Sequence, residues 1–174
     1  GETTEIALAP ADADFARGDF DWRISRAAVV EDGPFSSFPG IDRRLLLLDG
    51  DGLVLDHGDG RGPLVLEPLV PYAFSGDRPT DAKLRGRKVS DFNVMCARGR
   101  FSSSLTVLRG PHHRFDSAGE TIVLHVVRGC VKTRFADRAE ELSADETLRI
   151  DGVPAGITFE VESAGGEIMA ILTQ

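Results

Sequence analysis

Around Trp22, Ile24, Ala28 and Val30, apolar residues recur close to every second position, while Arg23 and Ser25 take the other face. That alternation predicts a half-buried strand. A short apolar run over residues 43–48 is followed by Asp49-Gly50-Asp51-Gly52 and then by Leu53, Val54 and Leu55, which predicts a hairpin closed by an Asp-Gly turn. A further run, residues 64–66, follows the Gly-rich loop 57–63, and the same short strands between Gly, Pro and Asp recur over 104–109, 120–127, 131–135, 147–150, 156–161 and 167–173. The best helical stretch is short, near residues 136–142. About ten to fourteen strands by this spacing exceed what one small barrel uses. The expectation is therefore an all-β chain of two barrel-like halves, residues 1–99 and 100–174. An uncovered sheet edge is a route to a homodimer.

Composition narrows the function classes. Of 174 residues, 28 are acidic and 20 basic, for a formal charge of -8, and both halves are acidic, so a phosphate backbone is repelled. The longest positive cluster, Arg85, Arg87 and Lys88, is flanked by Asp81 and Asp91 and is too short for a nucleic-acid arm. No nucleic-acid partner is expected. Cys96 and Cys130 are too few and too far apart for a disulfide framework or a zinc motif. With no signal-like leader, and with 45–48 as the longest strongly apolar run, the chain reads as a cytoplasmic protein with no membrane partner. Gly1, with no Met before it, reads as a vector remnant.

The loop over residues 33–44 concentrates chemistry. Two prolines and two glycines restrict its backbone, Phe35 and Phe38 can anchor it by burial, and it ends in Arg43 and Arg44. A stiff loop ending in arginine can aim a planar guanidinium at a ligand carboxylate. Equally, Arg43 can pair with Asp42, Asp91 or another internal carboxylate and simply hold the loop. Tyr72 and Phe74 alternate onto one face before the turn at Asp77, and Asp91, Asn93 and Met95 share a face opposite to Phe92 and Val94. A cavity lined by Tyr72, Phe74, Asn93 and Met95 with Arg43 at one end suits a short, flat carboxylate; plain core packing of the aromatics is the competing reading. His112 and His113 are adjacent beside Pro111 and read as loop residues; as a strand pair they would face opposite ways. His57 sits in a Gly-rich turn and reads as exposed. No metal is expected. Phosphate-loop, dinucleotide and nucleophile-elbow motifs are missing, and Cys96 reads as an inert buried thiol. No catalytic residue and no cofactor are assigned.

Four stretches carry a family resemblance: Trp22-Arg23-Ile24-Ser25; Gly33-Pro34-Phe35-Ser36 through Phe38-Pro39-Gly40-Ile41-Asp42-Arg43; Pro71-Tyr72-Ala73-Phe74-Ser75-Gly76-Asp77; and Asp91-Phe92-Asn93-Val94-Met95. In this order over about the first 95 residues, they resemble the HutD/Ves family. The resemblance implies a bicupin of two fused cupin-like β-barrels without the usual cupin metal ligands. It also implies, for the HutD branch, a role in bacterial histidine utilisation: a governor that binds urocanate, with N-formylglutamate as another candidate ligand. The Ves branch implies a stress-related role. By the same resemblance Arg43 is the candidate carboxylate ligand. Arg44 stands where many members have threonine, and Tyr72 where phenylalanine is common. The expected function is a non-catalytic binder of a small carboxylate; the rival is a metal-independent enzyme using Asp42, Asp77 or Asp91 as acid or base.

Overall fold

The computed structural model describes residues 2–166 and 169–173. Gly1, and Glu167 and Ile168 of the strand expected over 167–173, lie outside the described residues. The chain divides into two compact units, Gly1–Ser102 and Ser103–Gln174. Among the described residues there is no α-helix, only a single 3-10 turn at Phe15–Arg17, and no helix long and apolar enough to cross a membrane.

The first unit contains β1 (Thr3–Ala9), β2 (Trp22–Val29), β3 (Gly33–Pro34), β4 (Ile41–Asp49), β5 (Leu53–Asp56), β6 (Leu64–Leu66), β7 (Tyr72–Ser75), β8 (Asp81–Leu84) and β9 (Val89–Ala97). They form a five-stranded sheet, β1-β2-β9-β4-β7, and a four-stranded sheet, β3-β8-β5-β6. Alternation explains the core between them. Leu45, Leu47 and Phe74 come from the larger sheet, Leu53, Leu55, Leu66 and Ala82 from the smaller, and all join one buried cluster. Burying the leucines and the phenylalanine is worth about 1.5–3 kcal/mol each.

The hairpin expected at residues 43–55 does not form. β4 pairs with β7 and β9, while β5 pairs with β6 and β8. The Asp-Gly-Asp-Gly segment is instead a corner that carries the chain from one sheet to the other. Its glycines adopt φ of 98° and 100°, and a Cβ on Gly50 would lie 2.6 Å from a Val89 side-chain carbon and 2.9 Å from the Lys88 carbonyl oxygen. Only glycine fits that corner.

The second unit contains β10 (Leu105–Arg109), β11 (His112–Asp116), β12 (Thr121–Arg128), β13 (Cys130–Phe135), β14 (Arg138–Ser143), β15 (Thr147–Asp151), β16 (Thr158–Ser163) and β17 (Met169–Thr173). Its sheets are β10-β17-β12-β15 and β11-β16-β13-β14. Phe159 stacks with Phe115 and Phe135 at centroid distances of 5.2 and 4.8 Å, at the centre of an aliphatic cluster that includes Leu124, Val131 and Val161. Two local features differ from the sequence expectation. Residues 136–142 are a tight turn and a strand, because β14 pairs along the whole of β13 and Ala136 takes φ 49° at the turn. His112 and His113 lie on β11, a strand paired with β16, rather than in a loop.

Candidate ligand site in the first unit

Directly paired residues of antiparallel strands point to the same face, so the register assembles the site. Arg43 of β4 pairs with Met95 of β9 and Phe74 of β7; Leu45 pairs with Asn93 and Tyr72; Leu47 pairs with Asp91. On the other side of β9, Arg23, Ser25 and Ala27 of β2 pair with Met95, Asn93 and Asp91. Arg43, Tyr72, Phe74, Asn93 and Met95 thus share one face of the larger sheet. Met95 sits at the apolar end, clustered with Phe20 and Ile41, with the partly buried Phe38 packed against them.

The loop before β4 is clamped by backbone. Gly76 donates to the Ile41 carbonyl at 2.7 Å and accepts from the Phe38 N–H at 2.8 Å, and the Phe35 N–H donates to the Thr80 carbonyl at 2.8 Å. A Cβ on Gly76 would come within 2.6 Å of the Phe38 carbonyl oxygen, so glycine is what lets the two segments meet. Asp77 completes the clamp: its carboxylate accepts from the Gly40 N–H at 2.9 Å and the Ser75 hydroxyl at 2.7 Å and pairs with Arg98 at 2.7 Å. The Ser75 hydroxyl first, then the Gly40 N–H and Arg98, hold this carboxyl well below the usual carboxylate range.

The clamp places Phe35 and Phe38 around the Arg43 guanidinium, whose central carbon lies 5.5 and 5.4 Å from those ring centroids and 4.9 Å from that of Phe74. Such contacts stabilise a desolvated cation by roughly 2 kcal/mol or more. Arg43 is only 6% exposed; its Nη1 donates to the Ser36 carbonyl at 3.3 Å, and its Nε has no hydrogen-bond partner among the described residues. Burial pulls its pKa down to about 10, opposed by attraction to Asp91. Of the two carboxylates that the sequence offers Arg43, Asp42 is excluded by strand parity: it points to the opposite face and accepts from Arg98 at 2.7 Å. Asp91 remains as the electrostatic neighbour. It is 5% exposed, and burial pushes its carboxyl up to about 7 against the lowering pull of Arg43 and the Ala27 N–H. Its Oδ1 and the Asn93 Oδ1 have no hydrogen-bond partner among the described residues, where most buried polar atoms have one. Arg23, in the same row, is satisfied in contrast: it meets Glu5 and the Ser25 hydroxyl, each at 3.0 Å, and lies over Phe15 at 3.9 Å.

His57 corrects the sequence reading. It is 7% exposed, not a solvent-facing turn residue. Its position two residues after Leu55, itself two after Leu53, continues the inward parity of β5, a signal that the Gly-rich segment after it obscured. Its ring lies 2.9 Å from the Thr80 hydroxyl and 3.0 Å from the Tyr72 hydroxyl, and it packs 5.3 Å from Phe74. Tyr72 and Phe74 stack at 5.6 Å. Among the described residues no group of three or more His, Cys, Asp or Glu is arranged to hold a metal ion.

The family model for HutD matches residues 1–169. The chain belongs to the HutD family. A curated relative, an uncharacterised 21.2 kDa protein in the hutC 3′ region of Pseudomonas putida, is 33% identical over 144 residues, spanning 82% of this chain and 75% of that protein. Among solved structures, HutD from Pseudomonas fluorescens SBW25, determined in a formate condition, is 29% identical with a TM-score of 0.80, covering 99% of this chain and 87% of that one. A conserved protein of unknown function from Pseudomonas aeruginosa PAO1 is 26% identical with a TM-score of 0.89, covering 99% of this chain and 89% of that one. A cupin 2 barrel-domain protein from Leptotrichia buccalis, 11% identical with a TM-score of 0.56 and covering 99% of this chain and 87% of that one, shares the fold alone. The HutD-family chain is thus an all-β, two-unit cupin-like protein.

Proposed function

We propose that this HutD-family chain is a non-catalytic binding protein of histidine utilisation, holding a small carboxylate at Arg43 with urocanate as the leading ligand. The observation that supports the reading is the buried Arg43 guanidinium, whose Nε lacks a partner among the described residues although three aromatic rings enclose the group. A ligand carboxylate supplies an acceptor for that N–H and the opposite charge that burial makes valuable. Phe74 and Tyr72 offer a flat apolar wall for the rest of the ligand, and Asn93 a polar group beside it. The histidine-utilisation context draws support from family membership and from the relative in the hutC 3′ region.

One observation favours a second reading. Asp91 is buried with a carboxyl near 7 and an oxygen without a partner among the described residues, the property of a general acid or base. Asp42 and Asp77 are less suited to that role, since both are engaged with Arg98. Incubation with urocanate and with N-formylglutamate, following heat and product formation together, separates the readings. Saturable heat without product supports the binder; turnover that Asp91→Asn abolishes supports the enzyme.

A further inference from the structure

The hydrogen-bond chain through His57 has a fixed direction. The Thr80 hydroxyl has one hydrogen and donates it to the Arg78 carbonyl at 3.0 Å, so toward the His57 Nδ1, 2.9 Å away, it can only accept. The Pro79 carbonyl, also an acceptor, lies beside the ring as well. Burial first and Arg78 second lower the His57 pKa against the opposing pull of Asp59, the Pro79 carbonyl and Asp56, so at neutral pH the ring carries one proton, and the partners assign it to Nδ1. Nε2 is then a bare lone pair, and the Tyr72 hydroxyl at 3.0 Å must donate to it. Tyr72 has spent its only hydrogen inside the protein. What its oxygen retains is acceptor capacity.

The hydroxyl sits at the other end of the aromatic wall from Arg43, whose guanidinium carbon lies 4.9 Å from the Phe74 centroid, itself 5.6 Å from that of Tyr72. We infer that Tyr72 selects for a flat carboxylate whose ring carries an N–H donor, against one whose ring offers only an acceptor. The inference rests on the carboxylate site at Arg43 and adds the second point of recognition. His57 is its positioning residue, orienting the Tyr72 hydroxyl. A ligand ring oxygen would meet a lone pair, whereas an imidazole N–H would make a neutral hydrogen bond to this part-buried oxygen.

The test compares urocanate with 3-(2-furyl)acrylate, in which a furan replaces the imidazole, by calorimetric titration of the wild-type protein and of Tyr72→Phe. Wild-type protein should prefer urocanate by about tenfold, the worth of one such hydrogen bond, and Tyr72→Phe should lose that preference while binding the furan at least as tightly as the wild type does. Equal wild-type affinities for the two probes would overturn the inference and leave the carboxylate site standing. Absence of binding by both would overturn the site and the inference with it. Independently of any ligand, nitrogen-15 spectra of the histidine rings should place the His57 proton on Nδ1, and finding it on Nε2 would overturn the inference.

Discussion

Asp91→Asn is the perturbation that most directly exposes the electrostatics of the first unit. The native carboxyl is raised from 3.8 to about 7, chiefly by burial. Folding therefore favours the protonated form: this group's contribution is most favourable below pH 4, is lost as pH rises toward 7, and is constant above. A displacement of that size corresponds to a ceiling of about 4 kcal/mol, of which about 2 kcal/mol falls between pH 5.5 and pH 8. Asparagine keeps the shape and carries no charge, so every other titrating group cancels in the comparison. Urea denaturation of both proteins at pH 5.5 and 8 should show the wild type losing roughly that 2 kcal/mol relative to the variant. The same carboxyl couples to ligand binding. A second carboxylate at Arg43 faces Asp91 as a like charge, so binding takes up a proton, and affinity should fall by up to about tenfold per pH unit above 7. In Asp91→Asn that fall should vanish. Identical pH profiles of stability in the two proteins over this range would refute the reasoning, because a solvated Asp91 would titrate near its ordinary value and a fully paired one below it.

Removing Arg43 takes away the attraction that lowers Asp91, so in Arg43→Ala carbon-13 titration of the Asp91 carboxyl should move above about 7; an unmoved midpoint would show that the two groups do not interact. Gly76→Ala drives a Cβ into the Phe38 and Ile41 carbonyl oxygens at 2.6 and 2.9 Å, both backbone, and should cost on the order of 1–3 kcal/mol by urea melt while weakening carboxylate binding through displaced Phe38. Wild-type stability in that variant would mean the clamp is not tight. Asp77, held ionised by Ser75, Gly40 and Arg98, contributes stability that is present above its unfolded value and lost as pH falls below about 4. Melts between pH 2 and 5 should therefore show a shallower acid decline in Asp77→Asn than in the wild type, and an equal decline would remove Asp77 from the clamp.

Much of this arrangement is legible in the chain because strand parity is local. The alternation of Tyr72 with Phe74, and of Asp91, Asn93 and Met95, fixes which side chains share a face before any partner strand is known. Pairing is not local, and the errors lie there. A Gly-rich turn after Leu48 says that the chain reverses, but not whether it returns to its own sheet or crosses to the opposite one, which the close approach of Gly50 to Val89 decides. Residues 136–142 contain good helix formers, yet β13 beside them offers a complete ladder, and pairing overrode propensity. The ionisation of Asp91 is equally invisible in sequence. It arises because β9 is buried along nearly its whole length, a consequence of its central place between β2 and β4. His57 was hidden by its neighbours: the Gly-rich composition of 58–62 belongs to the loop beyond the residue, not to the strand whose parity it completes.

The central claim is that Arg43 holds a ligand carboxylate, and calorimetric titration of urocanate into wild-type, Arg43→Ala and Arg43→Lys proteins, each shown to be folded by thermal melt, tests it most directly. The account predicts saturable heat with the wild type, a loss of affinity of about 10 to 100-fold in Arg43→Ala, as expected for a charge-assisted contact of roughly 1.5–3 kcal/mol, and partial recovery in Arg43→Lys, which keeps the charge without the planar fork. Unchanged affinity in a folded Arg43→Ala protein would contradict it, and would leave the three rings around this guanidinium as a device for holding the 33–42 loop.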